Sequence, residues 1–218
     1  MIPAESKQNS LGGAFDLLMN KIKKNIDNSL PCQVVSVNET RTIVTVKPLI
    51  KVIANNGEAV SRGDIKGITV QTFGAGGFFI SPPINEGDLG WLQASDRDIS
   101  VFLQSYEDSE PPTGRKHSFS DARFIPDIMR NFTISSEDET ALVISSADGS
   151  TRIAIDDGEI RVTAPSGATV NGAQITDSGD VVTASGVSLD DFKAEYDAHM
   201  HTYTWTGSAG SGNTGTPS

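Results

Sequence analysis

Thr151-Arg152-Ile153-Ala154-Ile155-Asp156-Asp157-Gly158-Glu159-Ile160-Arg161-Val162 decides how the C-terminal part of this chain must fold. Ile153, Ile155, Ile160 and Val162 occupy alternate positions on either side of an Asp-Gly turn, which reads as two strands with one apolar and one polar face. The same texture runs outward from this hairpin. Ala141–Ile144 precedes it, and Ala168–Val170, Ala173–Ile175, Asp180–Thr183 and Gly186–Leu189 follow. Gly149, Gly158, Gly167, Gly172, Gly179 and Gly186 cut the series at spacings of nine, nine, five, seven and seven residues, a loose repeat. No aromatic residue occurs from Ala141 to Asp191, and each unit supplies only one or two aliphatics. A lone meander of this kind buries too little apolar surface to offset its ordering entropy and leaves strand edges open. Several chains winding about one axis cure both defects, and three is the smallest number that closes such a prism. A single-chain β-helix is the competing expectation, although its coils are usually twenty or more residues long, with a wider core.

Charge agrees with a segment that is nearly all surface. The 218-residue chain has a formal charge of −11, and residues 130–198 hold four basic against thirteen acidic side chains, a net of −9. That balance repels phosphate backbones and anionic lipid, so nucleic acid is not an expected partner. Aromatics reach only 6%, thin for one large core. Cys32 is the only cysteine, excluding an intrachain disulfide, and its place before Val34-Val35 predicts a buried structural thiol. The first residues, MIPAESKQNSLGG, carry no signal-peptide pattern, and no apolar run approaches a membrane span. The expectation is synthesis and assembly in a cytoplasm.

Toward the N-terminus the texture changes twice. Residues 1–29 form an attachment segment in which Leu11, Phe15, Leu18, Ile22 and Ile26 recur at helical spacing. Residues 30–103 contain short strands at Val34–Val37, Thr42–Val46, Gly67–Gln71, Phe78–Ile80, Leu89–Gln93 and Ile99–Leu103. Five or six such strands predict a small barrel of the oligonucleotide/oligosaccharide-binding (OB) type. Residues 104–129 read as a polar connecting loop that Phe119, Phe124 and Ile125 pin to the barrel. The β-helical part spans 130–189, and 190–218 forms a tip that opens with a short helix or crossover at Leu189–Asp197.

The tip carries His199-Met200-His201, followed by Tyr203, Trp205 and the Gly-rich run Gly207–Ser218. In an extended strand, residues two apart point to one side, so the imidazoles converge. One chain supplies an incomplete metal site. Three chains on an axis supply six nitrogens, an octahedral set that suits a first-row metal, disfavours zinc and leans toward iron. Surface decoration is the plain alternative for such a pair, and Met200 reads as packing. His117 has no sequence partner and is assigned a loop or interface hydrogen bond.

Three stretches carry a resemblance to a known family. They are Pro82-Pro83-Ile84-Asn85-Glu86-Gly87-Asp88-Leu89-Gly90 running into Asp96–Ile99, then His117-Ser118-Phe119-Ser120-Asp121-Ala122-Arg123-Phe124-Ile125-Pro126, and the end with Val187–Leu189, His199–His201 and Gly212–Pro217. Together, over roughly residues 30–218, the chain resembles the central spike proteins at the baseplate of contractile-tailed bacteriophages, of the phi92 and P2 spike type. The resemblance implies a mainly β homotrimer with an OB-like barrel, an intertwined triple-stranded β-helix, and one iron ion per trimer held by His199 and His201 of each chain. It also implies docking on the tail hub, a place in the virion tail baseplate, and passage through the host outer membrane on contraction. Two departures stand out: Asp190–Ala198 separates the last strand from the histidines, and seventeen residues follow His201. A non-enzymatic adhesin or structural tail subunit is the alternative. A polysaccharide-degrading β-helix is the weaker one, since Asp156-Asp157 and Asp190-Asp191 are adjacent pairs whose side chains diverge, and no nucleophile motif occurs.

Overall fold

A computed structural model describes residues 11–24, 26–54, 56–204 and 211–213, in two compact units divided at Arg130/Asn131. In the first unit, helix α1 (Leu11–Lys24) realises the helical spacing, with Leu11, Phe15 and Leu18 exposed. The strands are β1 (Ser29–Val37), β2 (Ile43–Pro48), β3 (Val52–Ile53), β4 (Ala59–Val60), β5 (Ile65–Val70), β6 (Phe73–Ala75), β7 (Phe78–Ile80), β8 (Leu89–Ser95) and β9 (Ser118–Pro126). Five of them close a barrel in the order β1-β2-β5-β9-β8. Neighbours are antiparallel except β5 and β9, which run parallel with Val70 opposite Phe124. This is the five-stranded Greek-key barrel expected for the OB type.

The barrel's fifth strand is a correction to the sequence reading. Ile99–Leu103 does not close the barrel. Asp98 Oδ1 accepts the Ser100 N–H at 3.1 Å and the Ser100 hydroxyl at 2.7 Å, which turns the chain into a short helix, α2 (Phe102–Ser105). Ser118–Pro126, assigned to the 104–129 connecting loop, supplies the strand instead, and its Phe124 is a core residue rather than a pin.

Val34, Val44, Val46, Ile68, Leu92 and Phe124 fill the interior. Cys32 is fully buried there, its thiol donating to the Gly90 carbonyl at 3.6 Å, and burial pushes it up to about 11, so it is inert at neutral pH. Gly90 is needed for contact. A Cβ there would lie 2.4 Å from the Phe124 ring and 2.5 Å from the Ile125 carbonyl oxygen. The carbonyl belongs to the paired strand and cannot move aside. Gly90→Ala is expected to lower stability by about 1–3 kcal/mol through overpacking, read as a lower urea midpoint with unchanged slope.

The Pro82–Gly90 motif is a clip onto β1. Ile84 is buried, Asn85 N–H bonds Asp88 Oδ2 at 2.7 Å, and Gly87 takes φ +94°. Gly87 N–H then reaches the Val34 carbonyl at 2.9 Å while Val34 N–H reaches the Asp88 carbonyl at 2.8 Å.

The second unit contains a short 3₁₀ turn (Ser136–Asp138) and two three-stranded antiparallel meanders. The first is β10 (Leu142–Ser145), β11 (Arg152–Asp156) and β12 (Glu159–Thr163), and the second is β13 (Ala168–Val170), β14 (Ala173–Ile175) and β15 (Val181–Val182). All six turn glycines that punctuate the sequence adopt positive φ. Gly186–Leu189 forms no strand: its Val187 carbonyl accepts the Thr183 N–H at 2.9 Å and Ser188 bridges Val182 before helix α3 (Leu189–Ala198) begins. A last pair, β16 (Thr202–Thr204) and β17 (Ser211–Asn213), follows the histidines. Trp205 and the rest of the Gly-rich tail, like the leader 1–10, lie outside the described residues.

Candidate functional site

The strand register places the decisive aliphatics together. Leu142 lies opposite Ile155, which lies opposite Ile160, and Ile144, Ile153 and Val162 form the next row. Residues opposed in register share a face, so these six cover one side of the first meander. Each is 40–68% exposed, although apolar. The other side is closed from within the chain. Ala154 is buried, and Asp138, 1% exposed, receives Arg152 Nε at 2.5 Å and Arg161 Nη2 at 2.9 Å. Arg152 also pairs with Glu137, and Arg161 with Glu159 at 2.7 Å. Asp138 first, then Glu159, raises Arg161 further above the ordinary guanidinium range. The second meander repeats the asymmetry on a smaller scale, with Ala168, Ile175 and Val181 in one row and Ile175 and Val181 exposed.

The tip is built onto the second meander through Asp180. Its Oδ2 accepts the Ser188 hydroxyl at 2.7 Å and its Oδ1 the Asp190 N–H at 3.2 Å. The Ser188 bond leads in holding the Asp180 carboxyl below its usual range. Ser188 is also the N-cap of α3, accepting the Asp191 N–H at 3.1 Å, while Asp190 and Asp191 complement the positive helix end. At the far end His199 is the C-cap, its Nδ1 lies 2.5 Å from the Tyr196 carbonyl oxygen, and the two rings sit 5.1 Å apart. The His201 ring is 5.1 Å from that of His199, nearly perpendicular to it.

The structure thus brings the two predicted ligands side by side. They reach this position through a helix cap and the residues after it, not through one continuous strand. Nδ1–H donation to a carbonyl selects the tautomer whose Nε2 carries the free lone pair, the form that binds metals. Among the described residues no third His, Cys, Asp or Glu joins the pair. Within one chain the pair offers two imidazole nitrogens, a donor type that suits a first-row metal but too few to complete a site among the described residues.

His117 stands apart from the tip. It lies at the start of β9 with φ +49°, and its Nδ1 is 3.6 Å from Asp96 Oδ1. Beside it a carboxylate cluster fastens the β8–β9 connection. Buried Asp98 accepts Thr113 Oγ1 at 2.6 Å and Arg115 Nη2 at 2.9 Å, and Arg115 also meets Asp121 at 3.1 Å. Hydrogen bonds from Thr113 and Ser100 hold Asp98 well below the usual carboxylate range. Burial, then the Asp98 charge, pushes Asp121 up. The acidic pairs have local duties as well: Asp156 Oδ1 accepts the Asp157 N–H at 2.9 Å, and Asp190-Asp191 belong to the helix cap.

Sequence reasoning missed two features. One is the Asp138 cluster, whose members lie fourteen and twenty-three residues apart and look like surface charges when read singly. The other is where Phe78–Ile80 goes: read as a barrel strand, it instead pairs with Phe73–Ala75 in the separate β6–β7 hairpin, where Phe73, Phe78, Phe79 and Ile80 stand exposed around Gly76-Gly77.

Residues 30–127 match the family model described as the phage protein Gp138 N-terminal domain. The match begins within β1 and ends one residue past β9, so it covers the closed barrel as a unit. No curated protein matches the chain.

Proposed function

We propose that this chain, whose barrel is similar to a phage protein domain, is the central spike of a contractile tail baseplate and works as a homotrimer that pierces the host outer membrane. The observation that carries the proposal is the uncovered aliphatic face of β10–β12. Among the described residues nothing covers these six aliphatics, each 40–68% exposed, and a contiguous apolar face of this kind marks an association surface. Three copies sharing an axis turn these faces inward, and the edges of each meander pair with the next chain in a triple-stranded β-helix. Such an assembly carries axial load through interchain hydrogen bonds along its length.

In this reading the barrel end meets the tail hub. The Leu11, Phe15 and Leu18 stripe of α1 and the exposed β6–β7 hairpin offer it apolar contact. At the other end His199 and His201 of three chains hold one iron ion, tying the chains together where they would otherwise fray. The protein performs no catalysis, and its acidic pairs serve turns and a helix cap.

The experiment is metal analysis of the purified trimer beside a His199→Ala/His201→Ala variant. About one iron per trimer is expected in the first and none in the second, with the trimer retained in both. A wild-type protein purified without transition metal, and taking up none when ferrous iron is supplied, removes the metal from the proposal.

A further inference from the structure

Helix α3 carries an apolar stripe that its own polar contacts leave untouched. Leu189, Phe192 and Tyr196 recur at spacings of three and four, His199 follows three residues later, and the first three are 54–57% exposed. That is the a/d seam of a short coiled coil. Asp190, Asp191, Lys193, Glu195 and Asp197 all lie off the stripe, and Lys193 pairs with Asp197 four residues on. Phe192 and Tyr196 are the first aromatics after a stretch, 141–191, that has none. A ten-residue helix is marginal in water by itself, and among the described residues Phe192 and Tyr196 stay more than half exposed, so the stripe calls for a partner.

We infer that α3 packs against its copies in the other two subunits, forming a parallel three-helix collar with Leu189, Phe192 and Tyr196 turned to the common axis just before the histidine pair. The collar rests on the trimeric reading above and adds to it a separate element with its own contacts. Two observations identify the occupant as another copy of α3. First, the Ser188, Asp180 and Asp190 bonds and the Val182–Ser188 bridge fasten the helix to the end of the second meander, so any symmetry that relates the meanders relates the helices. Second, the flanks of the stripe carry opposite charges, Lys193 on one side and Glu195 on the other, so neighbouring flanks in a parallel ring attract. Tyr196 then has a second role. Its carbonyl engages His199 Nδ1, so a collar that fixes Tyr196 also fixes the ring that follows.

Single cysteines report the collar directly, because native Cys32 is buried in the barrel and stays out of the reaction. Phe192→Cys and, separately, Tyr196→Cys are placed in the full chain, with Ala194→Cys on the opposite side of the helix as the control. Each protein is oxidised mildly while dilute, and its native mass is measured on the same sample. Phe192→Cys and Tyr196→Cys are expected to give covalent dimers, one per trimer and so up to two thirds of the chains, independent of dilution, while Ala194→Cys remains single. Native trimers that cross-link at neither stripe position, or equally well at Ala194→Cys, overturn the collar and leave the trimer standing. Chains that are monomeric by native mass overturn both.

Discussion

A chain carrying Ile153→Asp and Ile160→Asp is expected to elute as a monomer or to fail to fold, because both positions lie on the uncovered face of the first meander. The two structural readings predict opposite outcomes for this variant. If the face remains in water, carboxylates on exposed positions change stability by only about 0.5 kcal/mol and improve solubility. If the face is the core of a trimer, each copy loses about 1.5–3 kcal/mol of burial per side chain and brings two charges into an apolar interior. Summed over three copies, the loss is on the order of 10 kcal/mol or more, beyond what association supplies. Size-exclusion chromatography with light scattering distinguishes the two. An unchanged wild-type mass in the variant means that the face is not buried between chains.

Asp138→Ala is expected to cost about 3–5 kcal/mol, the largest effect of any single substitution in the second unit. Asp138 is buried and joins Arg152 of β11 to Arg161 of β12, both of them partly buried. Removing the carboxylate leaves two guanidinium groups at a closed face, and Glu137 and Glu159, both more exposed, replace it poorly. Asp138→Asn keeps one acceptor oxygen and should lose less. Thermal unfolding of the two variants beside the wild type measures the difference, and equal loss in both would mean that shape rather than charge holds the cluster.

Local alternation carried most of what could be read from sequence. The strands around Val34–Val37, Thr42–Val46 and Ile153–Val162 were legible because their apolar residues recur at period two and end at Asn, Asp or Gly turns. So was α1, from its three-and-four spacing. The fifth barrel strand was hidden for a physical reason: β9 pairs in parallel with β5, about fifty residues earlier, and nothing local marks such a partner. Ile99–Leu103 looked like a strand because it is apolar, but the Asp98–Ser100 bonds that turn it into a helix depend on side-chain geometry. At the tip, the His-X-His spacing flagged a pair whose rings lie 5.1 Å apart, whereas the cap that sets the His199 ring against Tyr196 follows from how Ser188 starts the helix eleven residues before. The Asp138 cluster joins three positions that sequence offers no means to connect.

The shared axis is tested most directly by sedimentation of the unmodified protein from micromolar down to nanomolar concentration. A species of three times the 23.1 kDa chain mass is expected throughout, without a measurable single-chain fraction. A folded, monodisperse species of one chain mass would contradict it, because the aliphatic faces of β10–β15 would then be stable in water unaided.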